Sequence, residues 1–410
     1  MKLIGNAVIG QSGGPTAAIN ASLAGVISFL LKCDSIKKVF GMKNGLEGFI
    51  SENIIDLTDV FSGDDRNSKL ELLSHTPASA LGSCRKKLPA PSSDPAFFEN
   101  LLRLFKKNDI RYFFYIGGND SMDTVAKITE YTKSQDYEIG VIGVPKTIDN
   151  DLCATDHTPG YGSAAKYIAT TVQEIIRDCS VYTVPAVTIV EVMGRDAGWL
   201  TLSASLGRIV NGYAPDYVYL PECDFSLDSF LEDVKQALSV HPNVVIAVSE
   251  GIRDKDGVYV GAKSQSGVAD VFGHKYLSGT GKALEIFVKE KLGCKVRSVE
   301  LNISQRCASH LLSATDIKES FEVGSAAAEA AVSGATGCMM AIDRREGDYS
   351  VDYVPKEISS IANAVKIVPR YFINNEGNNV TDEALKYVLP LIAGEVELKF
   401  NQGLPEIFVF

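Results

Sequence analysis

The sequence predicts an α/β protein of two doubly wound, parallel-sheet domains followed by a C-terminal extension. Short apolar, β-prone runs alternate with amphipathic stretches of helical length along most of the chain, the pattern of βαβ units. Many of these runs end in a turn rich in Gly, Ser, Asp or Arg, as the ligand-binding carboxyl edge of a parallel sheet requires. At 410 residues the chain is long enough for two or three domains.

Residues 3–9 read as a buried strand, Gln11 to Thr16 (QSGGPT) as a tight turn, and residues 16–31 as a helix with small residues in its first half. Strand, glycine turn and helix make a phosphate cradle, because the backbone approaches closely and the helix start offers free N–H groups. The turn is not a P-loop, since no Gly-Lys-Ser/Thr follows, and ordinary βα-turn chemistry has the same composition. Residues 36–41 read as a second strand, and residues 52–75 as loop or short helices. In Leu81 to Lys87, Gly82 and Ser83 stand beside Arg85, Lys86 and Lys87, either a solvated charge run or a phosphate-capture site in which Arg85 offers a fork of donors.

A helix is expected over residues 95–107 and a fully buried strand from Tyr112 to Ile116. Gly117-Gly118-Asn119-Asp120-Ser121 follows, with a helix from Met122 to about Tyr131 and Asp120 as its candidate N-cap. Residues 138–144 form the next strand, stopped by Pro145, which cannot donate to the ladder. Just past it stand Lys146, Thr147, Asp149, Asn150 and Asp151. A carboxylate beside an ammonium at a strand's carboxyl end suits transfer of an anionic group: one takes a proton, the other neutralises phosphate charge. A polar turn is built from the same residue types.

Residues 163–178 have a long helical pattern, and 186–193 read as a buried strand ending in Gly194-Arg195-Asp196-Ala197-Gly198, with a helix through about Leu206. Residues 216–220, a helix near 226–239, and the strand 243–249 continue the alternation, closed by Glu250-Gly251. Residues 253–280 read as a surface excursion, 281–292 as a helix, and Lys295 to Leu301 as a strand bracketed by Arg297 and Arg306. A helix over 318–333 and a strand over 337–343 precede a tail of short elements with no recognisable chemical motif.

Composition narrows the function. The net charge is −11, and no basic run marks a nucleic-acid surface, although a local basic pocket is compatible with an acidic chain. No apolar run reaches the ~20 residues of a membrane span. The eight cysteines are scattered with no C-x-x-C pair, which points to reduced thiols in a cytoplasm rather than to a disulfide scaffold or structural zinc.

Taken in order, SGG at 12–14, LGS-x-R at 81–85, GGNDS at 117–121, PKTIDND at 145–151, VMGR at 192–195, SEG at 249–251, Arg297 and QR at 305–306 give the chain a resemblance to the phosphofructokinase family. The resemblance covers about the first 340 residues. It implies a phosphofructokinase-like fold and a homo-oligomeric, cytoplasmic glycolytic enzyme that phosphorylates the 1-hydroxyl of fructose 6-phosphate with Mg²⁺. It further implies a phosphoryl-donor domain of residues 1–158 with a return segment 305–360, a sugar-phosphate domain of residues 159–304, and an extension over 361–410.

Residue by residue, the resemblance assigns Asp149 as catalytic base, with Thr147 beside it in the transfer site. Met193, Gly194, Arg195, Glu250, Arg297 and Arg306 fall on sugar-phosphate positions, and Gly13, Gly14, Arg85 and Gly118 on donor positions. Lys146, Arg195, Arg85 and Mg²⁺ would stabilise charge on the moving phosphoryl group.

Two positions bear on the donor. Asp120 stands where the ATP-using branch has Gly, and its carboxylate would crowd and repel the α-phosphate of ATP. Lys146 also replaces a Gly of that branch and can reach a terminal phosphate of pyrophosphate. Both substitutions are those of the pyrophosphate-dependent branch, so pyrophosphate is the expected donor and the reaction is expected to be reversible. An ATP-dependent sugar-phosphate kinase with Asp120 moved aside, and a weakly active regulatory subunit that binds sugar phosphate, are the alternative readings.

Some departures from the family pattern stand out. Asn119 stands at the metal position in place of an Asp; its amide is a weaker, neutral ligand beside Asp151, so Mg²⁺ is expected to be held mainly by the diphosphate and Asp151. Ala186 lies where bacterial relatives often carry an arginine that reaches the neighbouring subunit's sugar phosphate. Ile303 and Cys307-Ala308 replace residues near the same phosphate, which leaves room for a second phosphorylated sugar.

Overall fold

The computed structural model describes residues 3–261, 279–361 and 364–410. The chain opens with β1 (Gly5–Gln11), α1 (Ile19–Leu30), β2 (Ile36–Met42), α2 (Gly45–Ile50), β3 (Ile54–Asp56), α3 (Leu57–Val60), α4 (Arg66–His75) and α5 (Pro95–Lys107). It continues with β4 (Ile110–Gly117), α6 (Asn119–Ser134), β5 (Gly140–Pro145), α7 (Tyr161–Cys179), β6 (Ala186–Val192), α8 (Trp199–Ser203), α9 (Gly207–Val210), β7 (Tyr217–Tyr219), α10 (Leu227–Val240) and β8 (Asn243–Ser249). Then come α11 (Thr280–Leu292), β9 (Lys295–Glu300), α12 (Ala314–Val332), β10 (Cys338–Arg344), β11 (Val351–Glu357), α13 (Asp382–Val388), β12 (Phe400–Asn401) and β13 (Leu404–Pro405).

Among the described residues the strands form a seven-stranded sheet of order β11-β10-β5-β4-β1-β2-β3, a four-stranded sheet of order β7-β8-β6-β9 and a two-stranded antiparallel pair of β12 and β13. The small sheet is parallel throughout. The large one is parallel except at its edges, where β3 and β11 run antiparallel to their neighbours. Both sheets are covered on both faces, as expected for the doubly wound class. The sequence of β4, IRYFFYIG, shows why: Tyr112, Phe114 and Ile116 enter the core beneath α1 and α12, while Phe113 and Tyr115 enter the core beneath α2, α5 and α6. A strand buried on both sides needs a continuous apolar run rather than an alternating one.

Helices α1 and α12 cross with their backbones nearly touching. A Cβ on Gly25 would lie 1.9 Å from the Phe321 carbonyl oxygen, and one on Gly324 would lie 2.2 Å from that of Ser22. This crossing joins the first and last helices on that face of the large sheet.

Several elements differ in extent from the sequence reading. Helix α1 begins at Ile19 rather than Thr16, because residues 13–18 are used to turn around the site. The helical run toward Leu206 is split into α8 and α9. Helix α12 begins earlier, at Ala314, where the Ser313 side chain accepts from the Asp316 N–H. Part of the excursion expected over 253–280 lies outside the described residues.

The tail packs on both cores. Val368, Phe372, Val380, Leu385 and Leu391 join the core around Tyr161 and Trp199 beneath the small sheet. Farther on, Phe408 stacks on Phe61 against the large sheet, with ring centroids 5.7 Å apart. No helix of the described residues is long and apolar enough to cross a membrane.

Candidate active site

Strand order in the large sheet reverses between β1 and β4, and the turns that follow these two strands open a crevice there, where open α/β sheets bind ligands. The carboxyl ends of β5, β6 and β8, with the turn after β9, contribute the remaining walls. The cavity has a volume of about 380 Å³ and is lined by polar residues from all these turns.

The Gly13–Gly14 turn is tied to the segment after Leu81 by backbone pairing. The Gly13 N–H donates to the Cys84 carbonyl at 3.1 Å, and the Ser83 hydroxyl donates to the Gly13 carbonyl at 2.7 Å. This pairing is what carries Arg85 into the cavity. Gly13 has φ +78°, open to glycine at no steric cost, and a Cβ there would sit 3.3 Å from Lys146 Nζ. A Cβ on Gly14 would lie 3.6 Å from Arg306 Nη1 and 4.0 Å from Arg85 Nη2. Three cations from distant parts of the chain therefore converge on one glycine turn.

Lys146 is almost fully buried, at 4% exposure, and donates to the Gly14 carbonyl at 2.8 Å. Burial lowers its ammonium pKa to about 8, against the opposing pull of Asp149 and Asp151. Its own N–H donates to the Gly117 carbonyl at 3.0 Å, which fixes the β5 turn to the β4 turn.

Asp149 is held by local bonds. Its N–H donates to Thr147 Oγ1 at 3.2 Å, and Thr147 Oγ1 donates to Asp149 Oδ2 at 3.3 Å. Burial raises its pKa, and Lys146, the Thr147 bond and Arg195 partly offset that rise. Asp151 is pushed up to about 7 by burial and then by Asp149. The two carboxylates disfavour ionising together, the condition under which one of them binds a proton or a cation.

Helix α6 starts at Asn119 with Gly118 as its N-cap, so Asp120 lies in the first turn and is not the cap expected from the sequence. Asp120 faces the cavity instead. The Asn119 amide donates to Asp151 Oδ2 at 3.3 Å, while its Oδ1 is buried without a hydrogen-bond partner. An orphaned amide oxygen beside a carboxylate fits a hard, oxygen-seeking cation such as Mg²⁺. Among the described residues no cluster of three or more acidic, His or Cys side chains could hold a metal ion. Protein ligands would therefore supply only part of its shell.

On the opposite wall the Gly194 N–H donates to Glu250 Oε1 at 3.2 Å, and Ser249 Oγ donates to the Gly194 carbonyl. Gly194 has φ +133°, a conformation that few residues other than glycine adopt. Burial pushes Glu250 up to about 7. Arg195 enters the cavity with its Nε buried and unpartnered. Gln305 accepts from the Met193 N–H at 3.2 Å, which places Arg306 beside the same wall.

The predicted residues Gly13, Gly14, Arg85, Gly118, Asn119, Asp120, Lys146, Thr147, Asp149, Asp151, Met193, Arg195, Glu250 and Arg306 all line this cavity. Gly194 contributes through its backbone. Arg297 does not reach it: on β9 it lines a separate hollow beside α7, 3.9 Å from Asp178. Sequence reasoning missed Asp196 and Val365 on the cavity wall. Asp196 carried a signal, being next to Arg195 in a strand-end turn. Val365 carried none, being an isolated apolar residue in the tail.

Two facing α/β sheets, a carboxylate base candidate and a cation-lined glycine turn define a phosphoryl-transfer enzyme. The chain belongs to the phosphofructokinase family: the phosphofructokinase family model matches residues 6–331. It is 39% identical to a pyrophosphate–fructose 6-phosphate 1-phosphotransferase of Halomonas elongata, over 98% of this chain and 95% of that relative. A protein of the same name from Xanthomonas campestris is also 39% identical, over the same shares. The crystal structure of a pyrophosphate-dependent phosphofructokinase from Marinobacter aquaeolei superposes with a TM-score of 0.87 at 38% identity, covering 99% of this chain and 96% of that one.

Proposed function

We infer that this cleft transfers a phosphoryl group reversibly from pyrophosphate to the 1-hydroxyl of fructose 6-phosphate, giving fructose 1,6-bisphosphate and phosphate. The observation that carries the reading is the convergence of Lys146, Arg85 and Arg306 on the Gly13–Gly14 turn, in the cavity that Asp149 also lines. A full-length relationship to proteins named for this reaction supports it.

In this reading pyrophosphate lies over the Gly13–Gly14 and Gly117–Gly118 turns, its charge met by Arg85 and Lys146. Fructose 6-phosphate lies against Met193, Gly194, Glu250 and Arg306, with its 1-hydroxyl toward Asp149. Asp149 accepts the hydroxyl proton as the oxygen bonds to the near phosphorus and the bridging P–O bond breaks. Burial already favours the protonated carboxyl that results. Arg195 and Lys146 stabilise charge on the moving group, and Thr147 orients Asp149. Asp120 sets its carboxylate where a nucleotide's next phosphate would extend, which selects the short donor.

Asn119 and Asp151 would hold Mg²⁺, which supplies charge neutralisation to diphosphate oxygens. Residues 1–158 with 305–360 form the donor domain, residues 159–304 the sugar domain, and 361–410 an extension packed on both. Arg297 serves a sugar phosphate only if a second copy brings it to a neighbour's cleft, which favours self-association as dimer or tetramer. A cytoplasmic setting is supported by eight cysteines scattered along the chain with no C-x-x-C pair.

Phosphorus NMR of purified protein with Mg²⁺, fructose 6-phosphate and pyrophosphate tests the reading. Fructose 1,6-bisphosphate and phosphate are expected to appear, and the reverse mixture is expected to regenerate pyrophosphate. Spectra unchanged from both sides would refute it.

A further inference from the structure

The loop carrying Asp149 and Asp151 is held in place by a residue that lies more than two hundred positions away. Asn150, between the two carboxylates, is fully buried and has φ +52°. Ala154, later in the same loop, has φ +60°. Alanine is strained in this region and persists there only where its surroundings hold it, and asparagine, which visits it more readily, is fixed there by what its side chain bonds.

The holding group is Lys366. Its ammonium donates to Asn150 Oδ1 at 3.0 Å, to the Thr155 carbonyl at 3.2 Å and to the Asp156 carbonyl at 2.6 Å. All three ammonium protons are thereby directed at both ends of one loop. The Lys366 N–H donates to the Asp151 carbonyl at 2.8 Å, and Val365 forms an antiparallel bridge with Leu152.

Lys366 is itself anchored to the other side of the cleft. Trp199 Nε1 donates to its carbonyl at 2.9 Å, and its ammonium lies 5.3 Å from the Trp199 ring centroid. Two residues on, the Val368 N–H donates to Glu222 Oε1 at 2.8 Å, and the same oxygen accepts from the Gly198 N–H at 2.9 Å. The tail thus bridges the turn carrying Arg195 and the loop carrying Asp149.

We propose that Lys366 is a positioning residue for phosphoryl transfer: from the tail it locks Asn150 in its left-handed conformation and so sets the directions in which Asp149 and Asp151 point. Release of Asn150 to an ordinary conformation would swing the flanking carboxylates, and small misplacements of reacting groups are costly to rate. The proposal rests on the reading of Asp149 as base.

A double-mutant cycle on the full-length protein tests it, with Lys366→Met, Asp149→Ala and the pair assayed for kcat and both KM values. Lys366→Met alone is expected to lower kcat about 30-fold with each KM within about threefold of the parent. In the Asp149→Ala background the same change is expected to cost less than about threefold, because the base it positions is gone and only Asp151 is left to misplace. An equal loss in both backgrounds, a parental kcat, or a loss confined to KM overturns the proposal while leaving Asp149 as base. A parental kcat in Asp149→Ala overturns the base assignment and the proposal with it. Should Lys366→Met not fold, Asn150→Gly removes the acceptor yet tolerates φ +52°. It is expected to lower kcat about tenfold at unchanged KM, and a parental kcat overturns the proposal.

Discussion

The ammonium of Lys146 donates to the carbonyl of Gly14 at 2.8 Å, across 132 residues of chain. This bond joins the β1 and β5 turns and places a cation against the Gly13–Gly14 turn. With its pKa lowered to about 8, Lys146 is charged below that pH and neutral above it. Pyrophosphate kcat/KM is therefore expected to fall as pH rises through about 8. Lys146→Arg, whose guanidinium does not titrate in this range, is expected to lose that basic limb. Persistence of the basic limb in this variant would assign it to another group.

Asp120 is predicted to select the donor. A like charge facing a nucleotide's next phosphate costs several kcal/mol. Replacing both Asp120 and Lys146 by glycine is expected to lower the ratio of pyrophosphate to ATP kcat/KM at least ~100-fold. Competition assays over a range of both donors read this ratio directly, and an unchanged ratio would remove Asp120 from the account of specificity.

Asn119 and Asp151 are predicted to share the cation. Asn119→Asp adds a charged oxygen ligand beside Asp151, and hard cations favour carboxylates over amides. The Mg²⁺ concentration for half-maximal rate is expected to fall several-fold, roughly threefold or more. Asn119→Ala is expected to raise it, and titration of chelator-treated protein with Mg²⁺ distinguishes the two.

The crossing of α1 and α12 makes a prediction about the fold. A methyl group at Gly25 meets the Phe321 carbonyl at 1.9 Å, backbone that cannot move aside cheaply. Gly25→Ala is expected to destabilise the protein by about 1–3 kcal/mol, read from the midpoint of urea unfolding. A midpoint at or above the parent's would show that the two helices separate freely.

Much of this architecture was legible because its signals are local. The run in β4 is apolar on both faces, so a doubly covered strand is the only economical place for it, and the turn chemistry after β1, β4, β5 and β6 marks the carboxyl edge. The candidate site follows, since nearly all its residues sit in those turns. The antiparallel edges β3 and β11 were not legible, because pairing direction depends on how the chain returns rather than on composition. Arg297 stands apart for a related reason: its position on β9 is clear, but whether it reaches this chain's own cavity is set by how the sheet is oriented, which no local signal records. Lys366 was beyond reach because its partners, Asn150, Thr155 and Asp156, are distant in sequence and two of the three acceptors are carbonyls.

A pyrophosphate-dependent phosphotransferase with Asp149 as base is decided by one coupled assay. Purified protein is given Mg²⁺, fructose 6-phosphate and either pyrophosphate or ATP, beside Asp149→Ala. Turnover with pyrophosphate, at least ~100-fold faster than with ATP and lost by a factor of about 10²–10⁴ in the variant, is the predicted result. Preference for ATP, or full activity in Asp149→Ala, would contradict it.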